Sequence, residues 1–169
     1  MHDEPDPNWL TRADVLRGLR TLAARGLVYD LLVRTRELPA ARHAAATIDG
    51  LSFVLDHAAK PPIASGQFEP WATRLAELAN LPNVSCKVSG LVTEADWNAW
   101  TVGQLAPYVD RLIELFSPER LMFGSDWPVC TLAADYDRVL HSARECLSDL
   151  SVTESEAVFG GTAMAIYHR

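Results

Sequence analysis

The sequence has few cysteines, no clustered basic residues and no long apolar run. Its three cysteines, Cys86, Cys130 and Cys146, are odd in number and far apart, which fits neither a disulfide framework nor a CxxC zinc site. Fifteen Lys and Arg stand against 22 Asp and Glu, a net charge of −7. The basic residues are scattered, so there is no stripe to follow a phosphate backbone and nucleic acid is not an expected partner. No apolar run approaches the roughly 18 residues that cross a bilayer. The opening MHDEPDPNWL is acidic and proline-rich where a signal peptide is basic and then apolar. A cytoplasmic chain with reduced thiols and no membrane partner is the expectation. GxGxxG, P-loop and GxSxG motifs are also missing, which argues against dinucleotide, nucleotide and serine-hydrolase chemistry.

What is present suits a globular domain: 169 residues, 49% of them hydrophobic, enough for one sizeable core. Four short runs have strand character, at 27–33 (LVYDLLV), 51–57 (LSFVLDH), 84–90 (VSCKVSG) and 121–126 (LMFGSD). Helical patterns alternate with them. Val15, Leu16, Leu19, Leu22 and Ala23 make one stripe, opened by a possible Thr11/Asp14 capping box and stopped by Gly26. An alanine-rich helix is expected over 40–48, and a third after Pro70 along Trp71, Leu75, Leu78 and Ala79. The clearest stripe is Leu105, Tyr108, Val109, Leu112, Ile113 and Phe116, ending at Ser117-Pro118. A fifth follows Tyr136, Val139, Leu140, Ala143 and Leu147, and Thr153 with Glu156 is expected to cap a short helix before Gly160-Gly161.

Strands separated by helices imply βαβ crossovers and a parallel sheet. Polar and ionisable residues fall at the C-terminal ends of several strands: Asp56-His57, Lys87 with Ser89, and Asp126. That is the catalytic face of a (β/α) barrel. Period-two alternation turns Val84, Cys86 and Val88 to the helices and Lys87 inward. It also puts Met122, Gly124 and Asp126 on one side, with Gly124 leaving open space below the carboxylate. An inward ammonium needs pairing, and Asp30 is either that partner or a second polar group of the mouth that meets substrate. Carboxylate, imidazole and ammonium together suit water attack on an acyl or lactone carbon. His57 and Asp126 are also acceptable ligands for Zn²⁺ or Mn²⁺, although two are fewer than the three protein ligands a catalytic zinc takes.

The combination of Asp56-His57-Ala-Ala-Lys60-Pro61, Cys86-Lys87-Val-Ser89-Gly90-Leu91 and Phe123-Gly124-Ser125-Asp126-Trp127-Pro128 resembles the amidohydrolase-related family of the amidohydrolase superfamily. Within it, the sequence is similar to the sugar-lactonase branch of L-fuconolactonases and L-rhamnonolactonases. Asp3-Glu-Pro-Asp-Pro7, Tyr29-Asp-Leu-Leu-Val33 and Phe159-Gly-Gly-Thr-Ala163 with Tyr167 match as well, so the likeness covers essentially the whole chain. The resemblance implies a (β/α)8 TIM barrel that opens a small-molecule sugar lactone, with Asp126 as general base and His57 near the scissile carbonyl or a divalent metal. It implies Lys87 and Lys60 as candidates for the substrate's carboxylate or oxyanion, and Trp127 beside the base as a substrate contact. A metal-dependent decarboxylase of the same superfamily is the alternative enzyme, and a non-catalytic half-barrel assembly module the alternative outside enzymes.

Family members open with an HxH strand, and this sequence has no HxH. A complete barrel takes about 250 residues and eight strands. Residues 1–169 are therefore expected to form a single incomplete α/β domain, the last half to two-thirds of a barrel. Four parallel strands cannot close. The expectation is an open inner face, two unpaired sheet edges through which the chain could self-associate, and negligible turnover by the isolated chain.

Overall fold

The computed structural model describes residues 4–168. Asp3, from the acidic opening motif, lies outside them. Four strands, β1 (Val28–Leu31), β2 (Ser52–Leu55), β3 (Val84–Val88) and β4 (Leu121–Phe123), form one sheet in the order β1-β2-β3-β4. All three pairings are parallel, with Asp30 opposite Val54, Leu55 opposite Cys86 and Lys87 opposite Met122. Helices α1 (Ala13–Ala23), α2 (Leu38–Thr47), α3 (Trp71–Ala79), α4 (Val102–Phe116) and α5 (Tyr136–Cys146) alternate with the strands, and α6 (Val152–Glu156) and α7 (Thr162–Tyr167) close the chain. This is part of a (β/α) barrel, as the alternation of patterns predicted.

Every strand is shorter than its sequence run; in β2, β3 and β4 the residues that leave the ladder at the C-terminal end include Asp56-His57, Ser89 and Asp126, which form the rim. The helical stripes explain the outer layer. Leu105, Tyr108, Val109, Leu112 and Phe116 of α4 are buried in one core with Leu31, Phe53, Leu55, Val84, Cys86, Val88 and Leu121 from the outer face of the sheet. Each such side chain, fully buried, contributes about 1.5–3 kcal/mol. Gly26 ends α1 in the left-handed region at φ 66°, its N–H donating to the Ala23 carbonyl.

Two caps differ from expectation. Thr11 donates its hydroxyl to the Asn8 carbonyl, and α1 starts after Arg12, whose guanidinium pairs with Asp14. At α6 the capping box is Ser151/Glu154 rather than Thr153/Glu156. Both pairs share the i, i+3 spacing, so spacing alone did not separate them.

The inner face carries its own small cluster. Val54 and Met122 pack with Ile166 of α7, joined by the partly buried Val28 and Ala163. The sequence predicted an inner face without partners; instead the C-terminal helix lies across it, because Ala163 and Ile166, three residues apart, share a helix face.

Candidate active site

The chemistry-bearing side chains gather where the chain leaves the C-terminal ends of the strands. Residues His57, Ala58, Ala59 and Lys60 follow β2 in four successive left-handed conformations, φ 49° to 59°. Such backbone is costly for residues with a Cβ. It is held from below by the indole of buried Trp71, which donates to the Ala58 carbonyl at 2.7 Å. This turn swings His57 over the sheet. Its Nδ1 lies 2.8 Å from Ser89 Oγ, and its Nε2 lies 3.5 Å from Asp126 Oδ1. Asp126 is itself left-handed, φ 58°, and its Oδ2 is buried without a hydrogen-bond partner among the described residues.

Two glycines make this arrangement possible. Gly90, at φ 62°, lies against the imidazole, and a Cβ there would come within 2.7 Å of His57 Nδ1. Gly124 does not leave the open space expected of it. A Cβ at that position would meet Ser89 Cβ at 3.1 Å, so Gly124 makes room for the serine that holds the histidine.

Lys87 points inward as the alternation required. Its ammonium lies 2.7 Å from both Asp30 Oδ2 and Asp56 Oδ1, and the Tyr167 hydroxyl donates to Asp30 Oδ1 at 2.7 Å. Asp30 is thus the partner of Lys87, one of the two roles left open for it. Burial would lower the Lys87 pKa, but pairing with Asp30 and Asp56 outweighs it, and the net shift is upward. The lysine stays cationic. Burial lowers the His57 pKa, opposed by the charges of Asp126 and Asp56, so the imidazole is biased toward its neutral form. Tyr167 is pushed up to about 12 by burial and its bond to Asp30.

Asp56, His57, Lys87, Ser89, Asp126 and Tyr167 line one cavity of about 320 Å³. Lys60 and Trp127 do not. Lys60 turns away to Glu94, with Nζ 2.7 Å from Oε1, and lines a separate cavity; Trp127 is 67% exposed. Asp56 and Ser89 stood in the motifs, but nothing in the sequence tied them to Lys87 and His57. Tyr167 stood in the C-terminal stretch that matches the family, but nothing there pointed to Asp30, 137 residues away.

Only two of these groups offer themselves to a metal. His57 Nε2 and Asp126 are adjacent donors, but among the described residues no group of three or more His, Cys, Asp or Glu side chains is placed to hold an ion. They fall short of the three protein ligands of a catalytic zinc and do not by themselves make a metal centre.

A parallel sheet with helices on its outer face thus carries a carboxylate, an imidazole and an ammonium at its C-terminal rim, the arrangement of a (β/α) barrel's functional face. The sequence model of the amidohydrolase family matches residues 1–169, and the chain belongs to that family. It is 44% identical to an L-fucono-1,5-lactonase of Burkholderia multivorans, over 99% of this chain and 60% of the relative. It is 39% identical to an L-fucono-1,5-lactonase of Burkholderia ambifaria, over 99% of this chain and 59% of the relative. A crystal structure of a Burkholderia multivorans amidohydrolase with bound zinc superposes with a TM-score of 0.93 at 44% identity, covering 99% of this chain and 62% of that one. The chain spans about three-fifths of the length of the curated relatives it matches. Among the described residues, no helix is long and apolar enough to cross a membrane.

Proposed function

We propose that this protein contributes the catalytic rim of a sugar-acid lactonase, in which Asp126 is the general base for water attack on the lactone carbonyl. The observation that carries the reading is the Asp126 carboxylate. One oxygen is 3.5 Å from His57 Nε2, and the other is buried without a hydrogen-bond partner among the described residues, so the carboxylate keeps lone pairs for a proton. Asp126 borders the cavity.

In this reading a water held by the Asp126 carboxylate loses its proton to it as the water oxygen attacks the lactone carbonyl carbon. Neutral His57, whose Nδ1 faces Ser89, presents Nε2–H to the developing oxyanion. As the C–O bond breaks, the protonated Asp126 returns that proton to the leaving ring oxygen, which leaves a hydroxy acid and the carboxylate restored. The cationic Lys87, fixed between two carboxylates, does not act as a base. The names of the two Burkholderia relatives make L-fucono-1,5-lactone the first substrate to test.

The experiment titrates the purified protein with L-fucono-1,5-lactone, following His57 imidazole resonances by NMR and acid release in the same samples. The expected result is a saturable shift of the His57 signals, with any acid release above spontaneous ring opening removed by Asp126→Asn. An unperturbed His57, or acid release that survives Asp126→Asn, overturns the reading.

A further inference from the structure

A second cavity, about 410 Å³ and within the usual size range of ligand sites, opens beside the first on the same rim. Its walls come from the segments that follow three strands: Arg34 and Arg36 after β1, Lys60 after β2 and Glu94 after β3, with Trp71 and Arg74 from α3. The charge is unbalanced. Four cations line the cavity, and the carboxylates paired with them are two, Glu94 with Lys60 and Arg34 and Glu37 with Arg36. This surplus stands out in a chain whose net charge is −7.

The cluster is held in place. The Lys60 and Glu94 side chains are only 12% and 16% exposed. Arg74 is partly buried and fixed through one hydrogen bond, Nη1 to the Thr35 carbonyl at 3.2 Å. A guanidinium has five N–H donors, so Arg74 keeps donors without a partner among the described residues. Arg34 reaches Glu94 only at 3.7 Å. Two guanidinium groups with donors to offer are suited to a carboxylate, which they can grip in a planar, charge-assisted fork. Glu94 has lone pairs left to accept from hydroxyls.

We propose that this cavity binds a polyhydroxy carboxylate, its acid group on Arg34 and Arg74 and its hydroxyls on Glu94. The anion-binding capacity stands on the geometry alone. The choice of a sugar acid rests on the proposed lactone opening, which turns a neutral ring into such an anion. Lys60 lies three residues from His57, so an acid formed in the first cavity has a cationic site next to it.

The test is isothermal titration of the full chain with D-gluconate, with sorbitol and inorganic phosphate as the neutral and non-polyol controls. The expected result is one saturable gluconate site. Arg34→Gln and Arg74→Gln should each weaken it by at least about tenfold, the scale of a lost charge-assisted hydrogen bond, while Asp126→Asn should leave it intact and sorbitol should not bind. Arg34 is exposed and its loss spares the core, so Arg34→Gln remains informative if Arg74→Gln does not fold. Phosphate bound as tightly as gluconate, or gluconate binding insensitive to Arg34→Gln, overturns the proposal. Gluconate binding that is lost while lactone opening persists defeats this site alone; binding that persists without lactone opening defeats only the reaction.

Discussion

Gly90 and His57 are in contact so close that a single methyl group would break it. A Cβ at position 90 would fall 2.7 Å from Nδ1 and 2.8 Å from Cγ of the imidazole, both well inside van der Waals range. The His57 ring is therefore set from two sides, by the Ser89 hydroxyl and by the absence of a side chain at Gly90.

Gly90→Ala is accordingly expected to destabilise the fold and displace the ring. Left-handed backbone at φ 62° costs an alanine about 1–2 kcal/mol, and the clash adds to it because the obstacle is the root of the ring and not a flexible tip. Urea denaturation checks the first effect and the loss of the His57–Ser89 coupling in NMR the second. An alanine variant of unchanged midpoint and unshifted His57 signals contradicts the assignment.

Stability should fall with acid through His57. Its folded pKa is lowered by burial, so between about 6.5, the unfolded value, and the lower folded value the unfolded chain binds the extra proton and gains on the native state. The stability this group contributes is present above that window and lost as pH drops through it. Urea midpoints at pH 7.5 and 5.5, measured with EDTA, should differ more for the natural protein than for His57→Gln. Equal differences would show that the imidazole is not the group responsible.

Lys87 separates two carboxylates, Asp30 and Asp56, at 2.7 Å from each. Lys87→Met should cost about 2 kcal/mol, less than the 3–5 typical of a broken buried pair, because the Asp30 side chain is 38% exposed and water screens it. Adding Asp56→Asn should recover part of the loss, and a double-mutant cycle in urea measures the coupling. Additive losses contradict the pairing.

Arg120 joins the bottom of the sheet to α3 and α4. Its Nη1 donates to the carbonyls of Ala79, Leu81 and Val84, and its Nη2 to Leu115. Arg120→Met is expected to cost about 2–3 kcal/mol, since it strands partly buried acceptors. Arg120→Lys should recover little, because an ammonium cannot reach this planar array. Thermal melts of the two variants decide it: full rescue by lysine would show that charge alone matters.

The strands, the helices and the inward direction of Lys87 were legible because period-two and 3.6-residue patterns report which face is buried. His57 and Asp126 were legible as candidates for the same reason: they interrupt apolar runs at the strand ends. Their contact was not, because it depends on left-handed backbone in the DHAAK segment and at Asp126, and a sequence marks such backbone reliably only through glycine. Gly90 could have been read that way. Lys60 shows the limit from the other side: it stands three residues from His57, yet the same turn carries it to Glu94 in another cavity.

The Asp126 carboxylate, with one oxygen toward His57 and the other without a hydrogen-bond partner among the described residues, is the group proposed to take the proton from the attacking water. The most direct test of that role compares acid release from L-fucono-1,5-lactone by the natural protein and by Asp126→Asn, which keeps shape and removes the basic charge. Whatever rate the natural protein adds to spontaneous opening should fall to background in the variant, with the fold unchanged by circular dichroism. An asparagine variant that opens the lactone as fast as the natural protein contradicts it.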